Sequence, residues 1–154
     1  MAVKIYIALI AVALVLATVF YITEPHDTPT IMTQLAKTSV TVGSTTIEAE
    51  VASTPASRGK GLSDRASLLP GNGMLFVFEE EGSWGIWMKD MQFPIDIIWA
   101  GSNGSIITIE KNITPSTYPT AFYPETPRAK YVLEVPAGFA DEHTLAEGDI
   151  IVVQ

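Results

Sequence analysis

The sequence contains no cysteine and only two histidines, and both shortages exclude kinds of site. Without thiols the chain forms no disulfide and offers neither a thiolate metal ligand nor a cysteine nucleophile. One histidine, His26, lies in a stretch rich in proline and threonine, which excludes a histidine metal cluster. We expect no metal and no cofactor. The glycine signatures of Walker A loops, dinucleotide-binding turns and serine hydrolase elbows are also missing.

Basic residues are few as well. The chain has 9 of them against 17 acids, which gives a formal net charge of −8. Lys4 is the only charged residue among the first 22, so the remainder carries 8 bases (9 − 1) against 17 acids, a net of −9. Because a surface this acidic repels phosphate backbones, we expect no nucleic-acid partner.

One long run without charge stands at the start of the chain, from Ile5 to Ile22. As a helix its 18 residues would rise about 27 Å, close to the thickness of the hydrocarbon core of a bilayer. A cleaved signal peptide has a shorter apolar stretch that ends in small residues, whereas this one ends in Phe20, Tyr21 and Ile22. We therefore predict a transmembrane helix over residues 5–22 that anchors the chain to the membrane. A cleaved signal peptide and a buried core helix are the less favoured alternatives.

The charges that flank this run indicate its orientation. Lys4 and the amino terminus lie before it, whereas Glu24 and Asp27 follow it, and no base occurs before Lys37. Because positively charged flanks tend to stay in the cytoplasm, we expect residues 1–4 to be cytoplasmic. The chain would then be a single-pass protein of the cell membrane with its domain outside.

The remainder of the chain divides into a linker and one extracytoplasmic domain. Residues 23–37 hold two prolines and four threonines without periodicity, which is typical of a linker. Residues 38–154 are dominated by short alternating or apolar runs between turn residues, and these predict strands. The predicted strands are Ser39–Val42, Thr45–Ala52, Met74–Phe78, Trp84–Met88, Ile95–Ala100, Ser105–Ile109, Tyr131–Val135 and Asp149–Val153.

Helical signals within the domain are brief. Thr54 before Pro55 is typical of a helix start and predicts a short helix over Ala56–Leu62, and Ala137–His143 predicts another. The segment Ile113–Pro127 is expected to be a long loop. These elements predict a mainly β fold, a compact β-sandwich or barrel with one or two short helices. A parallel α/β fold is disfavoured because no crossover helices of about 10 residues separate the strands.

Five blocks of the domain carry short motifs in a consistent order and spacing. The blocks are Arg58–Arg65, similar to R-x-x-G-L-x-x-R; Gly73–Phe78, similar to G-M-L-F-x-F; Trp87–Ile97, similar to W-M-K-N-T followed by P-L-D-I; Ala129–Gly138, similar to A-x-Y-V-L-E followed by A-G; and Gly148–Asp149, similar to a closing G-D. Together they resemble the signature of the domain of unknown function 192 family. The resemblance covers Glu48 to Val153, although Asp90 and Met91 stand where the family pattern has Asn and Thr. It implies a small β-rich fold and frequent export or membrane attachment, and it brings no established activity, cofactor or catalytic residue.

Asp96 is the first candidate site residue, because the predicted strand around it, Ile95–Ala100, is otherwise apolar. A buried carboxylate is costly unless it is paired or hydrogen-bonded, and Arg58, Arg65 or Lys89 could pair with it. Either these charges surround a binding site, or Asp96 forms a structural ion pair or caps backbone amides.

Glu134 has the same setting, in the apolar run Val132–Val135. Two carboxyl groups that face one cleft suit general acid–base catalysis on a glycosidic bond. One alternative function is therefore a cell-surface hydrolase that acts on carbohydrate through Asp96 and Glu134. That function requires both carboxyl groups to open into a common pocket.

Aromatic residues supply the remaining candidates. Trp87 and Lys89 share one face of a predicted strand, which places a ring beside a hydrogen-bond donor. Burial in the core is the competing interpretation, especially for the tryptophans. The residues considered for a sugar-stacking platform are Trp84, Trp87, Trp99, Tyr118, Phe122 and Tyr123.

These patterns leave three functions open. The leading hypothesis is a membrane-anchored extracytoplasmic module without catalytic activity, which binds a ligand or partner such as a glycan or an envelope protein. The carbohydrate hydrolase is the first alternative. A structural component of an envelope complex is the second, and it predicts an exposed apolar patch. The binding candidates are Arg58, Arg65, Trp87, Lys89, Asp96 and Glu134.

Overall fold

Alternating apolar and polar residues form nine strands within residues 34–154, the part of the chain that the computed structural model describes. The predictions for the anchor, for its orientation and for most of the linker lie outside the described residues. None of the helices within residues 34–154 has the length and the apolar character needed to cross a membrane. The elements are β1 (Lys37–Val42), β2 (Thr45–Ala52), α1 (Pro55–Lys60), β3 (Asn72–Gly82), β4 (Ile86–Trp87), β5 (Ile95–Ala100), β6 (Ile106–Ile113), a 3₁₀ turn (Pro115–Thr117), β7 (Ala121–Phe122), β8 (Ala129–Pro136), α2 (Phe139–Glu142) and β9 (Ile151–Val153).

Seven of the strands form one sheet in the order β6-β5-β8-β3-β2-β1-β9, and β4 and β7 form a separate two-stranded ribbon. Neighbouring strands are antiparallel except β2 and β3, which run parallel. The connection between these two strands, residues 53–71, contains α1. A single crossover thus exists although its helix has only 6 residues, because loop segments supply the remaining length.

The sheet curls into a half-barrel because its two edge strands approach each other at one end. Ser105, just before β6, pairs with Ile150, just before β9. The Ile151 N–H donates to the carbonyl oxygen of Gly104 at 2.8 Å. Gly104 has a φ of +80°, and a Cβ there would lie only 2.4 Å from the Ile151 carbonyl oxygen, so this closure requires glycine.

The fold is mainly β with two short helices, as the sequence predicts. Of the two predicted architectures, the half-barrel is nearer to the barrel, because one curled sheet holds the seven strands. The predicted strands Thr45–Ala52 and Ile95–Ala100 have the observed bounds. The predicted strand Trp84–Met88 shortens to Ile86–Trp87, whereas β3 and β6 extend beyond their predicted ends.

Successive residues of each strand point to opposite faces of the sheet, and each face carries a cluster of buried apolar side chains. Because full burial of one large apolar side chain contributes about 1.5–3 kcal/mol to stability, these two clusters hold the central strands together. Every residue of β5 is buried, which explains its almost continuous apolar sequence. One face carries a first cluster that includes Val40, Ile47, Leu75, Ile98, Leu133 and Phe139. The other carries a second cluster that includes Leu62, Met74, Phe76, Ile97, Trp99 and Val132.

Candidate binding site

Helix α1 fixes the position of one basic side chain. Thr54 caps the helix, since its hydroxyl accepts a hydrogen bond from the Ser57 N–H while the Ser57 hydroxyl accepts one from the Thr54 N–H. Arg58 directly follows Ser57, and its guanidinium donates hydrogen bonds to the carbonyl oxygens of Ser53 and Val77, at 2.5 and 3.1 Å. These contacts join α1 to β3 and hold the Arg58 charge in place.

The remaining surroundings of Arg58 are aromatic. Its guanidinium carbon lies 4.9 Å from the centre of the Phe78 ring, close enough for a cation–π interaction. The Phe78 ring in turn stacks on Trp84, with centroids 4.2 Å apart. No carboxylate among residues 34–154 forms an ion pair with Arg58. Its positive charge is therefore not compensated by a neighbouring acid.

The turn after α1 is fastened to the loop after β4. The Ser63 hydroxyl donates to the carbonyl oxygen of Lys89 at 2.8 Å, and the Asp64 N–H donates to that of Asp90 at 2.8 Å. Asp64 and Asp90 both have positive φ values, of 64° and 55°. Asparagine and aspartate adopt this conformation more readily than most residues. Asp90 is thus compatible with the backbone role of the asparagine in the family pattern, and this loop carries Lys89 beside α1.

The two-stranded ribbon exposes a group of aromatic rings. Because Ile86 of β4 is buried, its neighbour Trp87 points away from the core and is 52% exposed. The Trp87 ring meets that of Tyr118 edge to face, with centroids 5.9 Å apart. Tyr123 covers Gly85, where a Cβ would lie 2.5 Å from the tyrosine ring. We call Trp87, Tyr118 and Tyr123 the aromatic surface.

Glu134 lies in β8 between Met74 of β3 and Ile97 of β5. The residue is 5% exposed, and no group within residues 34–154 forms a hydrogen bond with its carboxyl. Burial raises the pKa of Glu134 to about 8, against the lowering effect of the Arg65 charge. The carboxyl is therefore mostly protonated at neutral pH.

A small cavity of about 50 Å³ brings these elements together. It has room for one or two water molecules, at roughly 30 Å³ each. Lys60 and Met91 also line the cavity but were not among the predicted binding residues, although Lys60 lies two residues after Arg58 and Met91 ends the motif that begins at Trp87. The polar, aromatic and sulfur-containing side chains that line the cavity include Arg58, Lys60, Trp87, Lys89, Met91 and Glu134. Four of the six predicted binding residues are among them.

Arg65, another predicted residue, lies near the cavity but not in its lining. Its guanidinium binds both carboxylate oxygens of Glu50, at 2.6 and 2.8 Å. The hydrogen bonds within this pair raise the pKa of Arg65 and lower the pKa of Glu50. Arg65 thus ties the segment after α1 to β2, while its charge still acts on Glu134.

Asp96 caps backbone amides at the start of α2 and near the end of β6. Its carboxylate accepts hydrogen bonds from the N–H groups of Asn112, Gly138 and Ala140, at 2.8, 3.2 and 2.8 Å. Gly138 is the residue that caps the start of α2. Of the alternatives left open for Asp96, the structure shows the capping of backbone amides, and no basic side chain within residues 34–154 forms an ion pair with it.

The two candidate carboxyl groups lie on opposite faces of the sheet. Asp96 is paired with Val135 of β8, whereas Glu134 is paired with Ile97 of β5. Because the side chains of neighbouring strand residues alternate, Asp96 and Glu134 point in opposite directions. They do not open into a common pocket, so the geometry does not support a glycosidase mechanism that uses both.

The other aromatic candidates belong to the core. Trp99 is fully buried, and its indole N–H donates to the carbonyl oxygen of Trp84 at 2.8 Å. Trp84 and Phe122 pack against the second cluster. The exposed part of the predicted platform is thus reduced to the aromatic surface. In the part of the chain that the structure describes, no three His, Asp or Glu side chains are grouped as metal ligands.

Four of the five signature blocks meet at the cavity. They belong to separate elements, namely α1 with its following turn, β3, β4 with its following loop, and β8. The cavity therefore joins four signature blocks that are far apart in the chain. The contributions are Arg58 and Leu62 from the first block, Phe76 from the second, Trp87 and Lys89 from the third, and Glu134 from the fourth.

Comparisons with known proteins cover the whole described domain. The profile of DUF192, a family described as "Uncharacterized ACR", matches residues 38–153. No curated protein matches the chain.

Two solved structures share the fold. A candidate transcription regulator from Sinorhizobium meliloti is 32% identical with a TM-score of 0.72, over 78% of this chain and 95% of that one. A protein of unknown function from Novosphingobium aromaticivorans is 28% identical with a TM-score of 0.69, over 84% of this chain and 93% of that one.

Proposed function

Because the chain belongs to the uncharacterised family DUF192, as its signature blocks predict, we propose its function from its own site. The chain is a membrane-anchored extracytoplasmic module that binds a ligand at the cavity lined by Trp87, Lys89 and Glu134. The expected ligand is a glycan. One sugar ring lies on the aromatic surface and inserts one polar group into the cavity.

The observation that carries this proposal is the largely buried carboxyl of Glu134, which lines the cavity and has no hydrogen-bond partner within residues 34–154. Because no side-chain oxygen in these residues is fully buried without a partner, the carboxyl oxygens of Glu134 remain accessible from the cavity. A carboxyl group that an apolar strand holds open to a cavity is typical of a binding site, where the ligand supplies the partner.

The exposure of Trp87 gives independent support. A large apolar ring beside a polar cavity leaves unfavourable area in contact with water unless a ligand covers it. The cavity holds only a small group, so most of the ligand lies outside it, against Trp87 and Tyr118. A sugar fits this arrangement because its apolar face stacks on a ring while its hydroxyls reach polar groups.

The proposed location rests on the sequence. The uncharged run Ile5–Ile22 and the charges around it favour an anchor with the domain outside the cell. The strongly acidic domain is repelled by anionic headgroups, which favours a position away from the membrane surface. The predicted linker, residues 23–37, provides the necessary reach.

A second candidate is a structural role in an envelope complex. The exposed Ile150, Val152 and Val153 lie in or next to the edge strand β9 and provide the apolar area that this function predicts. In that case an envelope protein is the partner, and Trp87 makes no contribution to binding.

The full chain in detergent micelles, tested on a glycan array and then by calorimetry, distinguishes these functions. Trp87→Ala is expected to weaken binding of a glycan hit about tenfold or more, since a lost stacking contact costs on the order of 1.4 kcal/mol. Leu69→Ala, which removes another exposed apolar side chain outside the cavity, is the matched control and should leave the affinity unchanged. Absence of any glycan hit, or equal effects of the two substitutions, would contradict the proposal.

A further inference from the structure

The chemistry of the ligand follows from the charges at the cavity, provided that the proposed binding function is correct. We propose that the group entering the cavity is an oxyanion, a carboxylate or a phosphate, which Arg58 and Lys89 attract and which forms a hydrogen bond with the carboxyl of Glu134. The ligand is then an acidic sugar or a sugar phosphate.

Positive charge is concentrated at this cavity. Residues 34–154 hold eight of the nine basic residues of the chain, and three of the eight, Arg58, Lys60 and Lys89, line the cavity. Lys60 is paired with Asp64 at 2.5 Å, whereas no acid within the described range forms an ion pair with the other two. In a chain with a formal net charge of −8, two uncompensated cations at one cavity indicate an anionic ligand.

The state of Glu134 decides whether an anion is accepted, because an ionised carboxylate would repel it. Burial outweighs the charge of Arg65 and raises the pKa of Glu134 to about 8. A neutral carboxyl has an O–H donor, and the ligand oxyanion is the acceptor that the protein does not supply. The charge that acts on the pKa of Glu134 is that of Arg65, whose partner is Glu50 of β2. Arg58, Lys60 and Lys89 line the same cavity, and Lys60 is paired with Asp64. The neighbouring residues of β3 and β5 are the apolar Met74, Phe76 and Ile97.

A cationic ligand fits the same cavity poorly. An ammonium group would need Glu134 ionised, and it would have to approach Arg58 and Lys89 at close range. Arg58 and Lys89 line the same cavity, so two like charges would oppose the single opposite charge, and an aminosugar should bind less well than an acidic sugar.

The inferred geometry makes binding depend on pH in one direction. A bound anion disfavours ionisation of Glu134, so the complex holds its proton more tightly than the free protein does. Below about pH 8 the free protein is already protonated, and affinity is nearly constant. Above it, binding requires uptake of a proton, and affinity falls by up to about tenfold per pH unit.

Calorimetry on the full chain in detergent micelles tests the inference, with glucuronate, glucose 1-phosphate, glucose and glucosamine as probes. At about pH 7 the two anions are expected to bind at least tenfold more tightly than glucose, and glucosamine no better than glucose. At about pH 9 the affinity for glucuronate should be about tenfold lower than at pH 7.

Matched variants assign the two roles. Glu134→Gln keeps a neutral donor, so it should fold, bind glucuronate at about pH 7 and lose the pH dependence. Glu147→Gln, an exposed acid outside the cavity, should keep that dependence. Lys89→Met should lower the affinity for glucuronate about tenfold and leave the affinity for glucose unchanged. Lys111 is a basic residue elsewhere on the surface, and Lys111→Met should change neither affinity.

The outcomes separate the inference from the function on which it rests. Equal affinities for all four probes, a preference for glucosamine, or pH dependence that persists in Glu134→Gln overturns the oxyanion inference. In each of these cases the proposed binding function is still supported if Trp87→Ala lowers the affinity for glucose. Absence of binding by every probe overturns both. Preference for glucuronate or for glucose 1-phosphate supports the inference in either case and identifies which oxyanion is recognised.

Discussion

Asp96 and Glu134 lie in apolar strands of similar composition, and nothing in the two sequences separates them. Their difference arises from the register between β5 and β8, which pairs Asp96 with Val135 and Glu134 with Ile97. One carboxyl consequently meets three backbone N–H groups, and the other meets a cavity. The sequence predicts that each residue is unusual, but it does not predict the register of β5 against β8, because pairing between strands far apart in the chain is set by tertiary structure and not by the local pattern.

Removal of the Asp96 carboxyl should destabilise the fold without affecting the cavity. Asp96→Ala leaves three N–H groups, one buried and two partly buried, without their acceptor, and we expect the free energy of unfolding to fall by about 3–5 kcal/mol. Urea denaturation measures this change. Glu147→Ala, at an exposed acid, should change the stability by less than about 0.5 kcal/mol. A loss as small as that control would show that the capping contacts contribute little.

Glu134 should make the stability of the domain depend on pH. Its pKa is about 8 in the folded chain against a model value of 4.5, so the folded state holds the proton that the unfolded state has lost between these values. Its contribution to stability is fully present below about pH 4.5 and is lost as pH rises, by about 1.4 kcal/mol per unit until about pH 8.

The measurement is urea denaturation of the wild type and of Glu134→Gln at a series of pH values. The variant removes this titration and keeps the shape of the side chain, so the difference between the two curves isolates Glu134 from all other groups. Parallel curves between about pH 5 and pH 8 would show that Glu134 is ionised in the folded chain.

At the scale of elements, a clear run of residues between turns is what makes a strand predictable. β2 and β5 have the predicted bounds because β2 alternates and β5 is almost continuously apolar. β4 lies within the predicted strand Trp84–Met88, but its pairing with β7 is not predicted, since β7 has only two residues and falls within the segment expected to be a loop. Because the β4–β7 ribbon positions the aromatic surface, the sequence pattern does not predict how the aromatic rings are arranged.

Closure of the half-barrel should depend on Gly104. In Gly104→Ala the new Cβ must avoid the Ile151 carbonyl oxygen at 2.4 Å, and the residue must also keep a φ of +80°. We expect the free energy of unfolding to fall by at least about 2 kcal/mol more than in Gly71→Ala, which has a positive φ and open space. Hydrogen exchange should quicken at the amides of Ile106 and Ile151. Equal losses in the two variants would mean that the steric contact is relieved without cost.

For the whole molecule, the sequence predicts the individual strands and motifs better than it predicts how they come together in the fold. It identifies the signature blocks and four of the residues that line the cavity, because motifs are local. It does not show that α1, β3, β4 and β8 come together, since this follows from the parallel crossover between β2 and β3 and from the strand order of the sheet. The mainly β class follows from the strand patterns, whereas the half-barrel depends on an edge contact between residues far apart in the chain.

The membrane topology can be tested with single cysteines, because the natural chain contains none. Leu69→Cys places a thiol at an exposed position of the domain, and Ala2→Cys places one before the uncharged run. If the chain spans the membrane with its domain outside, a membrane-impermeant maleimide should label residue 69 in intact cells.

Residue 2 should be labelled only after the cells are permeabilised, so this variant serves as the control for reagent exclusion. Both thiols should remain with the membrane fraction after an alkaline wash, since an apolar run of this length is held by the bilayer. Labelling of residue 2 in intact cells, without labelling of residue 69, would show that the orientation is the reverse of the predicted one. Loss of residue 2 from a chain that still carries residue 69, with release of the domain from the membrane, would show that the run is a cleaved signal peptide.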